Sequence, residues 1–450
     1  MDTIPFHLIL LAIDLLVLGG LFLWIRFRQN SSQSKTAAYE YEKSLYVPTV
    51  KVKKPSLLWD WAGCILFGCV GLFFFALFSR LIWTDLFQKH IYHFNVGQCI
   101  IEGLFYHLPV SLLVAAGLLY WNKRIVSAIA VGFVGLCFAA LGYDLIWYEP
   151  YALVVECYTI KTSKLTKPLR IVFVADIQTD RIGEYEERTL KTVQKQHGDI
   201  IILGGDYLQA YAGTPHADQL PQLWKELFQK AKLEAPLGVY AIEGNIGPTS
   251  EEMFEDTGVD VIKSSTILEN LGADKDIGPI DVVLLGLGDS VGSVNERGLT
   301  DTGNFIVMAG HFPNYAIDGY QGKTRKRTGY RQLERAPDLM LAGHTHGGQF
   351  CLPGIGSYRV LIDRYKFLTD RIPFIGKAMH DFGDNYVQQI PPEMMSGFFA
   401  YANGSHALIS RGSGMECGWA PRARFCCPSE ISVIDLIPEQ KNETPKTNEK

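Results

Sequence analysis

The sequence predicts a layered α/β (α+β) domain that follows an N-terminal region of four transmembrane helices. Two observations lead to this fold class. Long apolar runs are concentrated before residue 150 of the 450-residue chain, which is 48% hydrophobic as a whole. After Leu169, short β-rich runs alternate with segments of helical composition, as in α/β and α+β domains. We divide the chain into a membrane region at 1–150, a linker at 151–164, the layered domain at 165–438 and a tail at 439–450 whose polar composition predicts disorder.

Four long apolar runs define the N-terminal region, at 6–25, 57–83, 96–121 and 125–148. Each is near the ~20 residues that a helix needs to cross a bilayer. One such run is also typical of a buried helix in a soluble protein, but four before residue 150 favour a membrane region. Basic residues are concentrated in the first and third connections, which are therefore expected to be cytoplasmic. We predict a multi-pass integral membrane protein whose C-terminal domain is extracytoplasmic.

Composition and charge narrow the range of functions. The net charge of −5 gives no indication of a nucleic-acid partner. The nine cysteines include no Cys-x-x-Cys pair and are odd in number, which argues against a zinc knuckle and a disulfide scaffold. The apolar runs lack a charged pathway, which argues against a transporter. The bilayer itself is the partner that the first part of the chain predicts.

Polar residues follow the predicted strands of the second part. The strands include "RIVFVADI", "IIILGGD", "LGVYAIEGN", "NFIVMAGH" and "PDLMLAGHTH", and the helices include "EYEERTLKTVQKQHGD" and "QLPQLWKELFQKAK". The carboxyl ends of strands are where α/β folds usually build their sites. The candidate site residues at these ends are Asp176, Gln178, Asp206, Asn245, His311, His344 and His346.

These seven side chains offer oxygen and imidazole donors without thiolates. Such donors suit manganese, zinc or iron better than a structural zinc site. Taken singly, Asp206 and Asn245 could cap turns, and His311 could be a core histidine. His344 and His346 differ because they alternate on a short glycine-bracketed segment, so both side chains point the same way. As a set in this order, the residues favour metal ligands.

The order of these motifs resembles the calcineurin-like metallophosphoesterases. That family carries Asp-x-His, Gly-Asp, Gly-Asn-His-Asp/Glu, a lone His and Gly-His-x-His, each after a strand. Here the corresponding stretches read "ADIQ", "GGDY", "EGNIG", "AGHFP" and "AGHTHGGQ". Three stretches are similar in sequence to the membrane-associated bacterial branch of YkuE and YaeI type. They read "APLGVYAIEGN", "AGHTHGGQFCLP" and "SRGSG…PRARFCCPSEISVIDL". The resemblance covers most of 165–438 and none of the membrane region.

The resemblance implies a β-sandwich flanked by helices, with two divalent transition-metal ions at one edge. Asp176, Gln178, Asp206 and His346 would hold the first ion, and Asn245, His311 and His344 would complete the second. Asp206 would bridge the two ions. Asp206, Asn245 and His311 are the residues that the resemblance places closest to catalysis. A two-metal centre activates water for in-line attack on a phosphoryl group.

Three positions depart from the family pattern. Ile246 stands where the family has a histidine that assists the leaving group, and Gly247 replaces its acidic partner. Gln178 replaces an imidazole ligand, although its amide oxygen can still bind a metal. The expected function is a membrane-anchored dinuclear metal-dependent phosphoesterase with an atypical site, acting on phosphodiester or pyrophosphate bonds. The alternative is a catalytically weak or inactive protein of the same fold that binds anionic lipid or a protein partner.

A basic segment between His311 and His344 bears on the substrate. It reads "YQGKTRKRTGYRQLER" and includes Arg325 and Arg327. One interpretation is a solvated loop. The other is a clamp for the phosphate of the substrate, since guanidinium groups bind phosphate through paired hydrogen bonds. The second interpretation fits a phosphodiester or pyrophosphate substrate, and a lipid-linked substrate remains open.

Overall fold

The computed structural model describes residues 101–210, 215–247, 251–273, 279–287, 302–314, 316, 337–357, 360, 390–415 and 422–439. Compact units at Met1–Asp144 and Leu145–Lys450 divide the chain. The predicted runs at 6–25 and 57–83, the start of the run at 96–121, Arg325, Arg327 and nearly all of the tail at 439–450 lie outside the described residues.

The described part of the first unit is helical. A short π-helix at Gly103–His107 leads into α1 at Leu108–Trp121, and α2 follows at Ile125–Tyr143. Two continuous helical segments, Gly103–Trp121 and Ile125–Tyr151, are long and apolar enough to cross a membrane. Apolar side chains on α2 are exposed, among them Val126 and Phe133. Two of the four predicted runs thus contain suitable helices, which by itself is weak evidence for a membrane region.

The described residues of the second unit form fourteen strands and two longer helices. The strands are β1 Val154–Thr162, β2 Leu169–Val174, β3 Ile200–Leu203, β4 Val239–Ile242, β5 Val259–Ile262, β6 Thr266–Leu271, β7 Ile280–Leu284, β8 Phe305–Gly310, β9 Leu339–Ala342, β10 Cys351–Leu352, β11 Gly356–Ser357, β12 Gly397–Ala400, β13 His406–Ile409 and β14 Glu430–Pro438. The helices are α3 Glu184–Gln194 and α4 Pro215–Ala231, and short 3₁₀ turns lie at Glu149–Tyr151, Glu251–Phe254, His346–Gly348 and Pro392–Met394.

Twelve of these strands form two six-stranded mixed sheets. The order of the first sheet is β1-β14-β2-β3-β4-β5, and the order of the second is β12-β13-β9-β8-β7-β6. Strands β2 to β5 run parallel, as do β7, β8, β9 and β13. The carboxyl ends of the parallel strands therefore share one edge within each sheet.

Alternation along β2 shows why the sheets form layers. Ile171 and Phe173 join the core that includes residues of both sheets, whereas Val172 and Val174 pack with residues of α3 and α4. All four side chains are fully buried. Because successive side chains in a strand point to opposite faces, β2 contributes to two cores at once. The predicted layered domain is confirmed as a mixed α/β domain with two mixed sheets.

The segment predicted as a linker contains a strand. β1 pairs in parallel with β14 over nine residues, from Val154 to Thr162. From Cys157 to Thr162 its side chains alternate between exposed and more buried positions, as expected for a strand with one face packed on the core. Local sequence pattern does not reveal this strand, because its partner, β14, lies at the far end of the domain in sequence. Residues 154–162 therefore belong to the first sheet.

Candidate metal centre

The loops after the parallel strands hold most site residues in an unusual backbone conformation. Five of the predicted ligands have positive φ: Asp176 at 52°, Gln178 at 36°, Asp206 at 52°, His344 at 73° and His346 at 49°. This left-handed conformation costs roughly 1–2 kcal/mol per non-glycine residue. Such conformations cluster at functional sites, where the surrounding structure holds them. The intrinsic backbone preference of these residues does not favour such turns, so the packing around the turns must stabilise them.

Asp206 and His311 come from different sheets and meet at the centre of the site. The Nε2 atom of His311 lies 3.2 Å from Asp206 Oδ2 and 2.7 Å from Asn245 Oδ1. One ligand atom from each of Asp206, His311 and His344 can be chosen so that all three lie within 4.8 Å of one another. Gly244 permits this approach, because a Cβ there would be 2.1 Å from Asp206 Oδ1.

Asp176 and His311 are fixed by backbone groups. The His344 N–H lies 3.0 and 2.8 Å from the two carboxylate oxygens of Asp176. His311 Nδ1 lies 2.9 Å from the Gly204 carbonyl oxygen, to which it donates in the tautomer that leaves Nε2 free to bind a metal. A second hydrogen bond of this kind orients the ring of a metal-binding histidine. The backbone therefore aims Nε2 at Asp206 and Asn245.

The two histidines after β9 have buried nitrogen atoms without hydrogen bonds. His344 Nε2 and His346 Nδ1 are enclosed, and neither has a partner in the described part of the chain. Burial lowers the pKa of His344 and of His346 to about 3. Both rings are therefore neutral at physiological pH, as metal ligation requires. Buried polar atoms are normally satisfied, so these orphaned atoms fit a site for a bound cation.

The carboxylates and His311 form an electrostatically coupled group. Burial raises the pKa of Asp176 to about 7. Burial also acts to raise the pKa of Asp206, but the charge and hydrogen bond of His311 hold it below its usual value. Burial acts to lower the pKa of His311, but Asp206 and then Asp176 raise it to about 9. The two buried carboxylates thus stabilise a positive charge placed between them. A divalent cation bound there would supply that charge.

Comparison with known proteins agrees with this geometry. The sequence model of the family described as calcineurin-like phosphoesterase matches residues 169–348. Over these residues the chain is similar to the calcineurin-like metallophosphoesterases. An "Uncharacterized metallophosphoesterase" of Aquifex aeolicus (strain VF5) is 23% identical over 298 residues, covering 64% of this chain and 93% of the relative. The "Uncharacterized metallophosphoesterase YkoQ" of Bacillus subtilis (strain 168) is 26% identical over 201 residues, covering 42% of this chain and 64% of the relative.

Six of the seven predicted ligands lie around one centre, where direct contacts or close packing hold them together. Asp176, Asp206, His311 and His344 are joined by the contacts above, and Asn245 reaches the group through His311. His346 is 2% exposed and lies beside Gly412, where a Cβ would be 2.9 Å from Asp176 Cβ and 3.4 Å from His346 Nδ1. Divalent metal ions are typical of the family, and this donor set fits them. Which residue binds which ion stays a prediction.

Gln178, the seventh predicted ligand, has a partner that sequence reasoning missed. Its backbone N–H donates to the Asp206 carbonyl at 2.8 Å, and its Nε2 donates to Gln209 Oε1 at 3.2 Å. Both side chains are buried. An amide binds a metal through oxygen, so an acceptor for its NH₂ group fixes the required orientation. Gln209 follows Asp206 by three residues, and no sequence pattern marked it.

We expect Gln209→Leu to weaken one of the two predicted metal sites by about 10–100-fold, the range typical for lost outer-shell partners. The leucine removes the acceptor that orients the Gln178 amide. Manganese titration of the purified full-length protein should show one site weakened and the other retained. Gln209→Glu keeps an acceptor oxygen and should bind more tightly than Gln209→Leu. Equal affinity in the wild type and Gln209→Leu would remove this role.

A second missed support is the loop after β13. The N–H groups of Ser413 and Gly414 donate to the carbonyls of Ala175 and Asp176, each at 2.8 Å. Fully buried Arg424 donates to carbonyls of this loop, including Arg411 at 2.8 Å. The "RGSG" and "PRARF" stretches belong to the sequence that resembles the family, and their hydrogen bonds hold the backbone of the Asp176 turn in place.

The loop at Ile246 has its own backbone requirement. The Ile246 N–H donates to Asp206 Oδ1 at 2.7 Å, so this loop also orients the central carboxylate. Gly247 has φ of 73°, and a Cβ there would be 1.9 Å from the Leu208 carbonyl oxygen. Position 247 therefore has no room for an acidic side chain in this conformation.

Proposed function

We propose that this protein is a membrane-anchored metallophosphoesterase that hydrolyses phosphodiester or pyrophosphate bonds. The observation that carries the proposal is the group of Asp206, His311 and His344. One ligand atom from each of these residues lies within 4.8 Å of the other two. The family supports metal-dependent phosphoester hydrolysis. The choice of bond and the membrane location are the finer parts of the proposal.

In the proposed centre, Asp176, Gln178, Asp206 and His346 would hold one ion, and Asp206, Asn245, His311 and His344 would hold the other. Manganese, zinc or iron suits these oxygen and imidazole donors. Bound metal supplies Lewis acidity and a nucleophilic hydroxide at neutral pH. The residues of the chain fix the geometry: backbone groups orient Asp176 and His311, and the neutral imidazoles of His344 and His346 keep their lone pairs available.

The proposed site is atypical because position 246 carries isoleucine. A hydrocarbon side chain cannot donate a proton to the leaving group, and Gly247 cannot support a histidine there. General acid catalysis is typically worth 10²–10⁴-fold. The enzyme should therefore favour substrates with good leaving groups, such as the phosphate of a pyrophosphate bond. Arg325 and Arg327 are proposed to bind the substrate phosphate, and lipid-linked substrates fit an anchored enzyme.

The activity is tested with the full-length protein in detergent. Hydrolysis of bis-nitrophenyl phosphate should require added manganese and stop with a chelator. Asp206→Asn should be inactive, whereas Asp260→Asn should retain activity, because Asp260 is an exposed residue of β5. A metal-loaded wild-type protein without turnover of this ester or of a pyrophosphate substrate would overturn the proposal in favour of a binding function.

The location is tested separately with C-terminal reporters. The basic connections predict that the domain is extracytoplasmic. Alkaline phosphatase fused to the C-terminus should therefore be active, and a reporter that fluoresces only in the cytoplasm should be dark. The reverse pattern would place the domain in the cytoplasm and change the number or orientation of the proposed helices.

A further inference from the structure

Two cysteines lie against the loop that carries His344 and His346. Cys351 begins β10 just after this loop, and Cys427 lies in the segment before β14. The backbones are paired there: the Cys351 N–H donates to Phe425 O at 2.8 Å, and the Phe425 N–H donates to Gln349 O at 2.9 Å. The two positions are therefore held side by side, although they are distant in sequence.

The two thiols contact neighbouring carbonyls of the same loop. Neither cysteine is in a disulfide. Cys427 Sγ donates to the His346 carbonyl at 3.4 Å, and Cys351 Sγ donates to the Gly347 carbonyl at 3.5 Å. A Cβ on Gly347 would be 2.7 Å from Cys427 Sγ. The sulfur atoms therefore pack directly beneath the backbone of a predicted metal ligand.

The two cysteines differ in their exposure to solvent. Cys427 is fully buried, whereas Cys351 is partly exposed. An oxidant can reach the pair at Cys351, and Cys427 is then in place to complete an intramolecular bond. Cys426 provides a comparison, because it neighbours Cys427 in sequence but is exposed.

We propose that Cys351 and Cys427 form a reversible oxidation site that controls the metal-ligand loop. With a soluble disulfide such as oxidised glutathione as oxidant, Cys351 first forms a mixed disulfide and releases one thiol. Cys427 then attacks the Cys351 sulfur and releases the second thiol. In total two protein thiols lose two electrons and two protons, and one disulfide oxidant becomes two thiols. Dithiol reductants reverse the reaction.

The effect on the loop follows from the geometry of the bond. A disulfide requires a sulfur–sulfur distance of about 2.05 Å, so the two sulfurs must leave the positions from which they now donate to separate carbonyls. Its formation also removes both S–H donors, so the carbonyls of His346 and Gly347 lose their hydrogen bonds. The loop must shift with the sulfurs. We expect metal affinity to fall by about 10–100-fold, as for other losses beside metal ligands. This coupling rests on the proposed metal site, whereas the disulfide itself does not.

The bond is tested on the full-length protein by oxidised glutathione, followed by alkylation of remaining thiols and peptide mapping. A peptide linking positions 351 and 427 is expected, and dithiothreitol should remove it. Cys351→Ser and Cys427→Ser should each abolish the link, and Cys426→Ser should retain it. Complete alkylation of both wild-type cysteines after oxidation, or a link to Cys426, would overturn the proposal without depending on any variant.

The coupling is tested by manganese titration of the reduced and oxidised wild type. Oxidation should weaken binding by about 10–100-fold in the wild type and Cys426→Ser, and reduction should restore it. Cys351→Ser should bind equally under both conditions, because its partly exposed serine cannot form the bond. A mapped disulfide with unchanged metal affinity would refute the coupling. A reduced protein that binds no metal would refute the proposed function and leave the disulfide result standing.

Discussion

Asp206→Asn is expected to cause the largest loss of metal among single ligand substitutions. Asp206 accepts a hydrogen bond from the Ile246 N–H on Oδ1, while Oδ2 faces His311 Nε2 at 3.2 Å. Its two oxygens therefore face two sides of the site, as a bridging ligand requires. Loss of its charge should reduce affinity for both ions by more than about 100-fold, beyond the 10–100-fold typical of outer-shell changes.

Metal content and manganese-induced thermal stabilisation of the full-length protein provide the measurements. Binding to the folded state alone stabilises it by mass action, so a lost site removes the stabilisation. His311→Ala and Gln178→Ala should each lose less metal than Asp206→Asn, and Asp260→Asn should behave as wild type. Two ions retained in Asp206→Asn would eliminate the bridged centre.

Much of the fold could be predicted because its signals are local. The apolar runs that form β2, β3, β8 and β9 are short, and a polar site residue follows each strand within three positions. Strand polarity then brings those ends together within each sheet. β1 could not be predicted in the same way, because its nine pairings are all with β14 at the opposite end of the domain sequence. Its stability depends on a partner that local patterning does not reveal.

In the candidate site, too, some features could be predicted from the sequence and others could not. The ligand candidates stand in recognisable motifs, and the structure brings Asp206, His311 and His344 into one group. Gln209 was missed because its role depends on the orientation of one amide. The approach of Cys351 and Cys427 to the same loop was missed because neither residue belongs to a spaced cysteine motif. Both depend on tertiary packing between loops, which a single sequence does not encode in any periodic pattern.

The Ile246 loop shows a further limit of sequence reasoning. From sequence alone, Ile246→His with Gly247→Asp restores the family pattern. The positive φ of Gly247 and the 1.9 Å approach of its hypothetical Cβ to Leu208 O exclude the aspartate in this backbone. The two departures are therefore linked through loop conformation. Ile246→His alone therefore tests the missing acid without the strain of an aspartate at position 247.

Ile246→His should raise the hydrolysis of alkyl phosphodiesters more than that of nitrophenyl esters. An alkoxide leaving group needs a proton, whereas nitrophenolate needs little assistance. The gain for alkyl esters should be smaller than the 10²–10⁴-fold of a positioned acid, because the new imidazole lacks its acidic partner. The ratio of kcat/KM for the two substrates, measured at equal metal loading, isolates this effect from changes in metal binding.

The double substitution Ile246→His with Gly247→Asp provides the opposing expectation. The aspartate forces the loop away from Leu208 and displaces the Ile246 N–H that binds Asp206, so activity should fall on both esters. A double variant that exceeds Ile246→His on alkyl esters would show that the loop rearranges without cost. Efficient cleavage of alkyl esters by the wild type would instead show that another residue supplies the proton. In that case the segment containing Arg325 and Arg327 is the next place to search, because it lies between two predicted metal ligands in sequence.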